Sequence, residues 1–137
     1  MEKSTELRDL FIRLCETMSS GDLESLKRHL SQQEGVLFLG TDPNEWWDDY
    51  ATIVKVHHEQ FVEMGGFSVV AGDPQVYCEG SVGWVADRPT MVMPDGTEVT
   101  FRFTAIFHKE DGDWKGVQWH TSFGVSNQEA FGQEFDA

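Results

Sequence analysis

The spacing of apolar residues changes near Phe67, and this change constrains the fold more than any other feature of the sequence. Before it, apolar residues recur every three or four positions, which is typical of helices that bury one face. After it, the period falls to two and turn signals recur, as at Gly72-Asp73-Pro74 and Pro94-Asp95-Gly96. The pattern predicts an α+β chain in which three helices cover one side of a curved antiparallel sheet.

Two helices, the second of them short, are predicted before position 35. Apolar residues between positions 7 and 18 fall three and four apart, and Ser4 or Thr5 can cap the start of the first helix. After a Ser-Ser-Gly turn, Asp22 can cap a second helix whose leucines face inward. A tight turn is therefore expected between the two helices.

A buried strand and a long third helix are predicted next. The apolar run from Gly35 to Gly40 indicates the strand. Asp42-Pro43-Asn44-Glu45 offers an N-cap, a proline at the first helical position and a glutamate at the third, so it predicts the helix start. Gly65-Gly66 is expected to end this helix after Met64. One stripe of the helix carries Trp46, Tyr50, Ile53, His57, Phe61 and Met64.

The best-defined hairpin joins residues 98–108 to residues 114–125. Strict alternation along both strands makes one face strongly apolar and the other mixed. The apolar face is predicted to comprise Phe101, Phe103, Ala105, Phe107, Val117, Trp119, Thr121 and Phe123. The mixed face is predicted to comprise Arg102, Thr104, Ile106, His108, Trp114, Gly116, Gln118, His120 and Ser122.

The charge balance limits the classes of partner. The chain has 10 Lys and Arg against 24 Asp and Glu, a formal charge of −14. Such a surface repels nucleic-acid phosphates and anionic lipid headgroups. No apolar run is long enough to span a membrane, and the charged N-terminus does not resemble a secretory signal. We therefore expect a cytoplasmic protein with neither a nucleic acid nor a membrane as partner.

No cofactor or metal ion is expected from the sequence. Cys15 and Cys78 lack metal-binding spacing and are expected to be reduced, packed thiols. The segment His57-His58-Glu59 lacks two ligands four residues apart on one helical face. His108 and His120 are predicted on the sheet face opposite the phenylalanines, away from that segment.

Five short motifs connect this pattern to a known family. In chain order they are Gly40-Thr41-Asp42-Pro43-Asn44-Glu45-Trp46-Trp47, Pro94-Asp95-Gly96, Arg102-Phe103-Thr104-Ala105-Ile106-Phe107, Asp111-Gly112-Asp113-Trp114 and Trp119-His120-Thr121-Ser122. Their order and spacing resemble SnoaL-like proteins, which share the cone-shaped NTF2-like fold with ketosteroid isomerase. The last two motifs also resemble the association domain of calmodulin-dependent kinase II. The resemblance covers about residues 5–125, so one domain is expected over residues 1–125, followed by an acidic tail over residues 126–137.

The resemblance implies an NTF2-like cone with a pocket between the concave sheet and the helices, and usually a homodimer formed through the sheet. It does not imply one reaction. Ketosteroid isomerase requires a carboxylate base beside acidic oxyanion donors. No inward carboxylate is found on the first helix or on the phenylalanine face, so isomerase chemistry is disfavoured.

The expected pocket lies between the third helix and the phenylalanine face, and its expected ligand is a small, largely apolar or aromatic molecule. His57 and Tyr50 are the candidate catalytic residues, because an imidazole titrates near neutrality and both polar groups share the helix stripe. The structural alternative is a histidine held by a backbone carbonyl or water. The expected lining comprises Trp46, Tyr50, Ile53, His57, Phe61, Phe101, Phe103, Ala105, Trp119, Thr121 and Phe123.

The mixed sheet face is expected to form a homodimer interface, although a solvated face is the alternative. The reason is that Trp114 and Ile106 would otherwise be exposed, and the polar groups beside them can pair across an interface. The expected interface comprises Arg102, Thr104, Ile106, Trp114, Gln118, His120 and Ser122. Three functions remain: a ligand-binding homodimer, a cyclase, dehydratase or isomerase using His57 and Tyr50, and an assembly module with a vestigial pocket.

Overall fold

The computed structural model describes residues 1–65 and 67–135. Within them the helices are α1 (Thr5–Ser20), α2 (Leu23–Arg28), α3 (Tyr50–Glu63) and α4 (Asn127–Phe131). The first three are the predicted helices, and α4 is a short addition in the tail. The predicted end at Gly65-Gly66 lies partly outside the described residues, as do the last two residues of the tail; α3 itself ends at Glu63.

Side-chain caps determine where the first two helices begin. The Ser4 side chain accepts a hydrogen bond from the Leu7 amide, and the Asp22 side chain accepts one from the Ser25 amide. Between the helices, Gly21 adopts a φ of 68°, a left-handed conformation that glycine reaches at little cost. The predicted tight turn between α1 and α2 is therefore confirmed.

The strands form two sheets within the described residues. They are β1 (Glu2–Lys3), β2 (Leu37–Leu39), β3 (Trp46–Trp47), β4 (Ser68–Val70), β5 (Gln75–Glu79), β6 (Val82–Asp87), β7 (Thr90–Val92), β8 (Glu98–Thr100), β9 (Arg102–Glu110) and β10 (Asp113–Ser122). The large sheet has the order β1-β5-β6-β9-β10-β2-β3 and is antiparallel except between β10 and β2. The small sheet has the order β4-β7-β8.

The apolar core lies between α1 and the inner face of the large sheet. Leu7 is fully buried and lies against Gly83 of β6, where any side chain would collide with it. One and two turns further on, Phe11 and Leu14 are also buried, and Phe11 stacks on Phe103 at 5.7 Å between ring centres. Each such side chain contributes about 1.5–3 kcal/mol when it is fully buried, so this stripe holds α1 on the sheet.

The segment Asp42-Pro43-Asn44-Glu45 does not begin a helix, and this prediction is wrong. Its capping-type hydrogen bonds do form: Asp42 Oδ1 accepts from the Asn44 amide at 2.9 Å, and Glu45 Oε1 accepts from the Asp42 amide at 2.8 Å. However, the Gly40 amide donates to the Glu45 carbonyl oxygen at 3.0 Å, which closes a turn between β2 and β3. The same local bonds therefore serve a hairpin.

Helix α3 begins instead at Tyr50. Asp49 is its N-cap, and the Asp49 carboxylate accepts from the Thr52 amide at 2.8 Å. Trp46 and Trp47 precede the helix and pair with Leu39 and Phe38 of β2. Trp46 is consequently not a helical residue, and its expected place on the helix stripe is wrong.

The long hairpin contains a bulge that strict alternation does not predict. In β10, Gly116 pairs with Phe107 and Gln118 pairs with Ile106, so Val117 is one residue in excess. From Gln118 onward, each residue of β10 lies on the face that strict alternation predicts. Before the bulge, each residue lies on the opposite face from the predicted one. Trp114 therefore lies on the inner face and is 5% exposed, so its placement on the mixed outer face is wrong.

The first strand of that hairpin is also shorter than predicted. Residues 98–100 form β8, which pairs with β7 in the small sheet, and the hairpin strand begins at Arg102. Between them, the Phe101 amide donates to the Pro89 carbonyl oxygen at 3.1 Å. The chain thus passes from the small sheet to the large one at Phe101.

The packing at the bulge predicts a sensitive position. A Cβ added at Gly116 would lie 2.5 Å from Trp119 Nε1, a contact that requires the indole to move. We expect Gly116→Ala to lower the free energy of unfolding by about 1–3 kcal/mol, as measured by urea denaturation. The matched control is Gly124→Ala, because no atom lies within 4 Å of an added Cβ there. Equal stability of the two variants would contradict this packing.

Candidate functional site

A cavity of about 400 Å³ opens between α1, α3, the small sheet and one end of the large sheet. Its volume is within the range of small-molecule sites. Its aromatic lining comprises Phe11, Phe38, Trp47, Phe67, Phe101, Phe103, Trp119 and Phe123. Four of the five methionines of the chain, Met18, Met64, Met91 and Met93, also line it. Because methionine side chains are flexible and polarizable, this wall can adapt to ligands of different shape.

His57 is the most buried polar side chain of the cavity wall. It lies on α3 one turn after Ile53, it is 7% exposed, and its Nδ1 is 2.7 Å from the Ile53 carbonyl oxygen. The rings of Phe38, Trp47 and Phe61 are inclined to it by 65–85°, with ring centres 5.9–6.5 Å away. The imidazole is therefore held by one backbone hydrogen bond inside an aromatic cage.

Burial determines the charge of this imidazole. Removal from water lowers the pKa of His57, because the charged form loses most by desolvation. The hydrogen bond to the Ile53 carbonyl and the negative charge of Glu45 act in the opposite direction and are weaker. His57 is consequently neutral at pH 7.

Glu45 brings a carboxylate to the cavity that sequence reasoning missed. The turn between β2 and β3 turns its side chain toward Gly40, and both residues line the cavity. The sequence does not indicate this position, because residues 42–45 fit a helix cap equally well. The remaining polar side chains of the lining are Thr41, Gln60 and Thr121.

Asp87 is a second inward carboxylate. It pairs with Phe103 in the register of β6 and β9, so it lies on the inner face, and it is 8% exposed. Its Oδ2 accepts from the Gly72 amide at 3.0 Å, while Oδ1 has no partner among the described residues. The alternation of Gly83, Val85 and Asp87 was the signal available in the sequence. The expectation that no carboxylate points inward holds for α1 and β9 but not for the whole chain.

The structure brings together six of the eleven expected lining residues: His57, Phe101, Phe103, Trp119, Thr121 and Phe123. The other five are not part of the lining. Trp46, on the edge strand β3, is 62% exposed. Ile53 and Ala105 are buried in the core, and Tyr50 and Phe61 pack against the core from α3. Tyr50 and His57 are therefore not brought together in the cavity, which separates the two candidate catalytic residues.

Cys15 also lines the cavity and was expected only as a packed thiol. Burial, followed by the charges of Asp87 and Glu16, raises the pKa of Cys15 to about 12. The thiol is therefore protonated at neutral pH and behaves as a small apolar group rather than a nucleophile.

The mixed outer face keeps its expected composition apart from Trp114 and Gly116. Ile106 is 41% exposed, and Trp84 of β6 pairs opposite it. Of the other expected interface residues, Arg102, Thr104, Gln118 and His120 are exposed and Ser122 is half-buried. These residues form one continuous surface on the side of the sheet away from the cavity.

Two negative findings apply to residues 1–65 and 67–135. In that part of the chain, no three His, Cys, Asp or Glu side chains converge in a way that could hold a metal ion. The helices described there are also too short or too polar to cross a membrane.

The sequence matches the SnoaL-like domain family over residues 7–126. It has no significant match among curated proteins.

Solved structures share the fold at low sequence identity. An NTF2-like protein of unknown function from Pseudomonas putida is 15% identical, with 97% of this chain and 94% of that chain covered and a TM-score of 0.79. A candidate dehydratase of the NTF2-like family from Streptomyces avermitilis is 15% identical, with coverage of 82% and 89% and a TM-score of 0.70. The association domain of C. elegans CaMKII is 16% identical, with coverage of 85% and 92% and a TM-score of 0.70. At such identities these similarities establish the fold alone.

The buried imidazole predicts a pH dependence of stability. The pKa of His57 is lower in the folded chain than in the unfolded chain. Once the pH falls below the ordinary pKa of about 6.5, the unfolded chain therefore binds a proton at His57 more readily than the folded chain does. We therefore expect the free energy of unfolding to fall between pH 7.5 and pH 5, by up to about 1.4 kcal/mol per pH unit from this residue. His57→Gln should reduce that slope in urea denaturation series. An unchanged slope would contradict the burial of a neutral His57.

Proposed function

The chain belongs to the SnoaL-like domain family, and from that premise we propose that it binds a small, largely apolar molecule in the cavity. The observation that carries this proposal is the cavity itself: about 400 Å³ of space, lined by aromatic rings and methionines with few polar groups. A site of this composition gains affinity mainly by removing apolar ligand surface from water. The polar groups then orient the ligand.

The charge of the site disfavours anionic ligands. Within the described residues, the lining contains the Glu45 carboxylate and neither Lys nor Arg. The chain as a whole carries a formal charge of −14. A carboxylate or phosphate ligand would lose its hydration without gaining a cationic partner, which is unfavourable.

The proposed functional unit is a homodimer formed through the outer face of the large sheet. Although 24 of the 137 residues are acidic, the outer positions from Val82 to Ala86, Arg102 to His108 and Gln118 to Ser122 contain no carboxylate. Two copies can therefore approach on this face without bringing like charges together. The fold shared with the association domain of C. elegans CaMKII supports self-association as a use of this architecture.

An enzyme of cyclase, dehydratase or isomerase type remains the second candidate. The observation that favours it is His57, a neutral imidazole on the wall of a ligand-sized cavity, with Glu45 on the same wall. Such an imidazole is suited to accept a proton from a bound substrate. The enzyme would act without Tyr50, which is not part of the lining. An assembly module with a vestigial pocket is the third candidate, and absence of any ligand binding would favour it.

Ligand binding is tested with the neutral fluorescent probe N-phenyl-1-naphthylamine. We expect saturable fluorescence enhancement with the wild-type protein. Val69→Trp should abolish it, because Val69 lines the cavity and an indole there fills the space. Val70→Trp is the matched control, since the next residue of β4 is 54% exposed. Circular dichroism checks folding, and Met91→Trp is a second filling variant. Binding that survives both filling variants, or no binding by the wild type, would contradict the proposal.

The homodimer is tested by light scattering at micromolar concentration. We expect a mass of twice 15.6 kDa for the wild type. Ile106→Glu should shift the protein to monomer, because it places two like charges in the interface. Val70→Glu is the control, since it adds the same charge at an exposed valine of the small sheet. A monomeric wild type, or a dimer unaffected by Ile106→Glu, would show that this face is not the interface.

A further inference from the structure

We propose that the cavity selects neutral ligands that carry a hydroxyl group on an apolar, aromatic-sized body, and that this hydroxyl donates a hydrogen bond to Nε2 of His57. The inference rests on the proposed function, because it requires that a ligand enter the cavity. It adds the chemical class of the ligand and the group that recognises it.

The backbone hydrogen bond of His57 determines its tautomer. Its Nδ1 lies 2.7 Å from the Ile53 carbonyl oxygen, an ordinary hydrogen-bond distance. A carbonyl oxygen only accepts, so Nδ1 must carry the proton. A neutral imidazole has one N–H, and Nε2 is therefore a lone-pair acceptor.

Nε2 of His57 has no hydrogen-bond donor among the described residues. Among residues 1–65 and 67–135, Nε2 makes no hydrogen bond, although the side chain is only 7% exposed. The neighbours Phe38 and Phe61 have no donor, and Trp47 contributes a ring contact. His57 belongs to the cavity lining, so a bound molecule is in position to supply the missing donor.

The ligand group that donates to His57 is expected to be uncharged. Burial lowers the pKa of His57, so the imidazole accepts a hydrogen bond at neutral pH rather than forming an ion pair. The lining residues described here include no cation, and Glu45 adds a negative charge. A carboxylic acid, which ionises near pH 4–5, is therefore disfavoured, whereas a phenolic or other weakly acidic hydroxyl stays neutral and donates.

Three naphthalenes of the same ring system test this selection at pH 7.5 by displacement of N-phenyl-1-naphthylamine. They are 2-naphthol, 2-methoxynaphthalene, which lacks the donor, and 2-naphthoate, which is anionic. We expect 2-naphthol to bind about 3- to 10-fold more tightly than the methyl ether, as one net hydrogen bond provides, and 2-naphthoate to bind most weakly. Equal affinity for the naphthol and its ether would overturn the inference.

Two variants on α3 assign the preference to a residue. His57→Phe should bind both neutral ligands with a ratio near one, because the acceptor is replaced by a ring of similar shape. His58→Phe makes the same substitution at the next residue of α3, which is exposed and outside the lining, and should keep the wild-type ratio. A preference for 2-naphthol that survives His57→Phe would overturn the assignment to Nε2.

Nitrogen NMR of the wild-type protein gives a test that needs no variant. The two-bond ¹H–¹⁵N correlations of His57 should show a protonated Nδ1 and an unprotonated Nε2. The Nε2 resonance should shift on addition of 2-naphthol and not on addition of 2-methoxynaphthalene. A protonated Nε2 in the free protein would falsify the inference. If the probe binds but discrimination is absent, only this inference fails; if neither the probe nor any naphthalene binds, the proposed function fails with it.

Discussion

The bulge at Val117 determines how the two faces of the large sheet are used. Because it adds one residue to β10 opposite β9, Trp114 before it and Trp119 after it both lie on the inner face. A strand without the extra residue would turn one of these indoles to the opposite face, since side chains alternate along a strand. The bulge therefore provides both an aromatic inner face and a polar outer face, with Gln118 and His120 exposed.

The inner face is filled at one end and open at the other. At the filled end, Leu7 lies against Gly83, and a Cβ on that glycine would also be within 3.4 Å of the Trp114 ring. At the open end, Trp119 faces a cavity whose far side is formed by Met18 of α1 and by the small sheet. A single continuous sheet thus serves as the wall of the core and as the wall of the candidate site.

The parts of the fold that could be predicted are those where local pattern and tertiary packing agree. The position of His57 on the buried stripe of α3 was predictable because four residues separate it from Ile53, wherever the helix begins. The start of α3 could not be predicted, because the hydrogen bonds of residues 42–45 suit either a helix or a turn. Pairing of Trp46 with Leu39 of β2 decides between them. Trp114 was misplaced because a tryptophan fits either face in a strictly alternating pattern, and only the pairing register reveals the extra residue. The place of Glu45 in the cavity lining could not be predicted either, because it depends on the same choice between a helix and a turn.

The open end of the inner face costs the folded chain stability in two ways. An apolar cavity forfeits the contacts that a filled core would make. Burial of His57 also desolvates its imidazole, whose Nε2 makes no hydrogen bond to the described residues. Both costs fall on the cavity wall, whereas Leu7 and Phe107 of the core are fully buried. An apolar cavity and a desolvated imidazole that coincide in one place are characteristic of a binding site. A ligand that fills the space and donates to Nε2 would offset both costs and would stabilise the fold by mass action. This coincidence is the physical reason for proposing the cavity as the binding site.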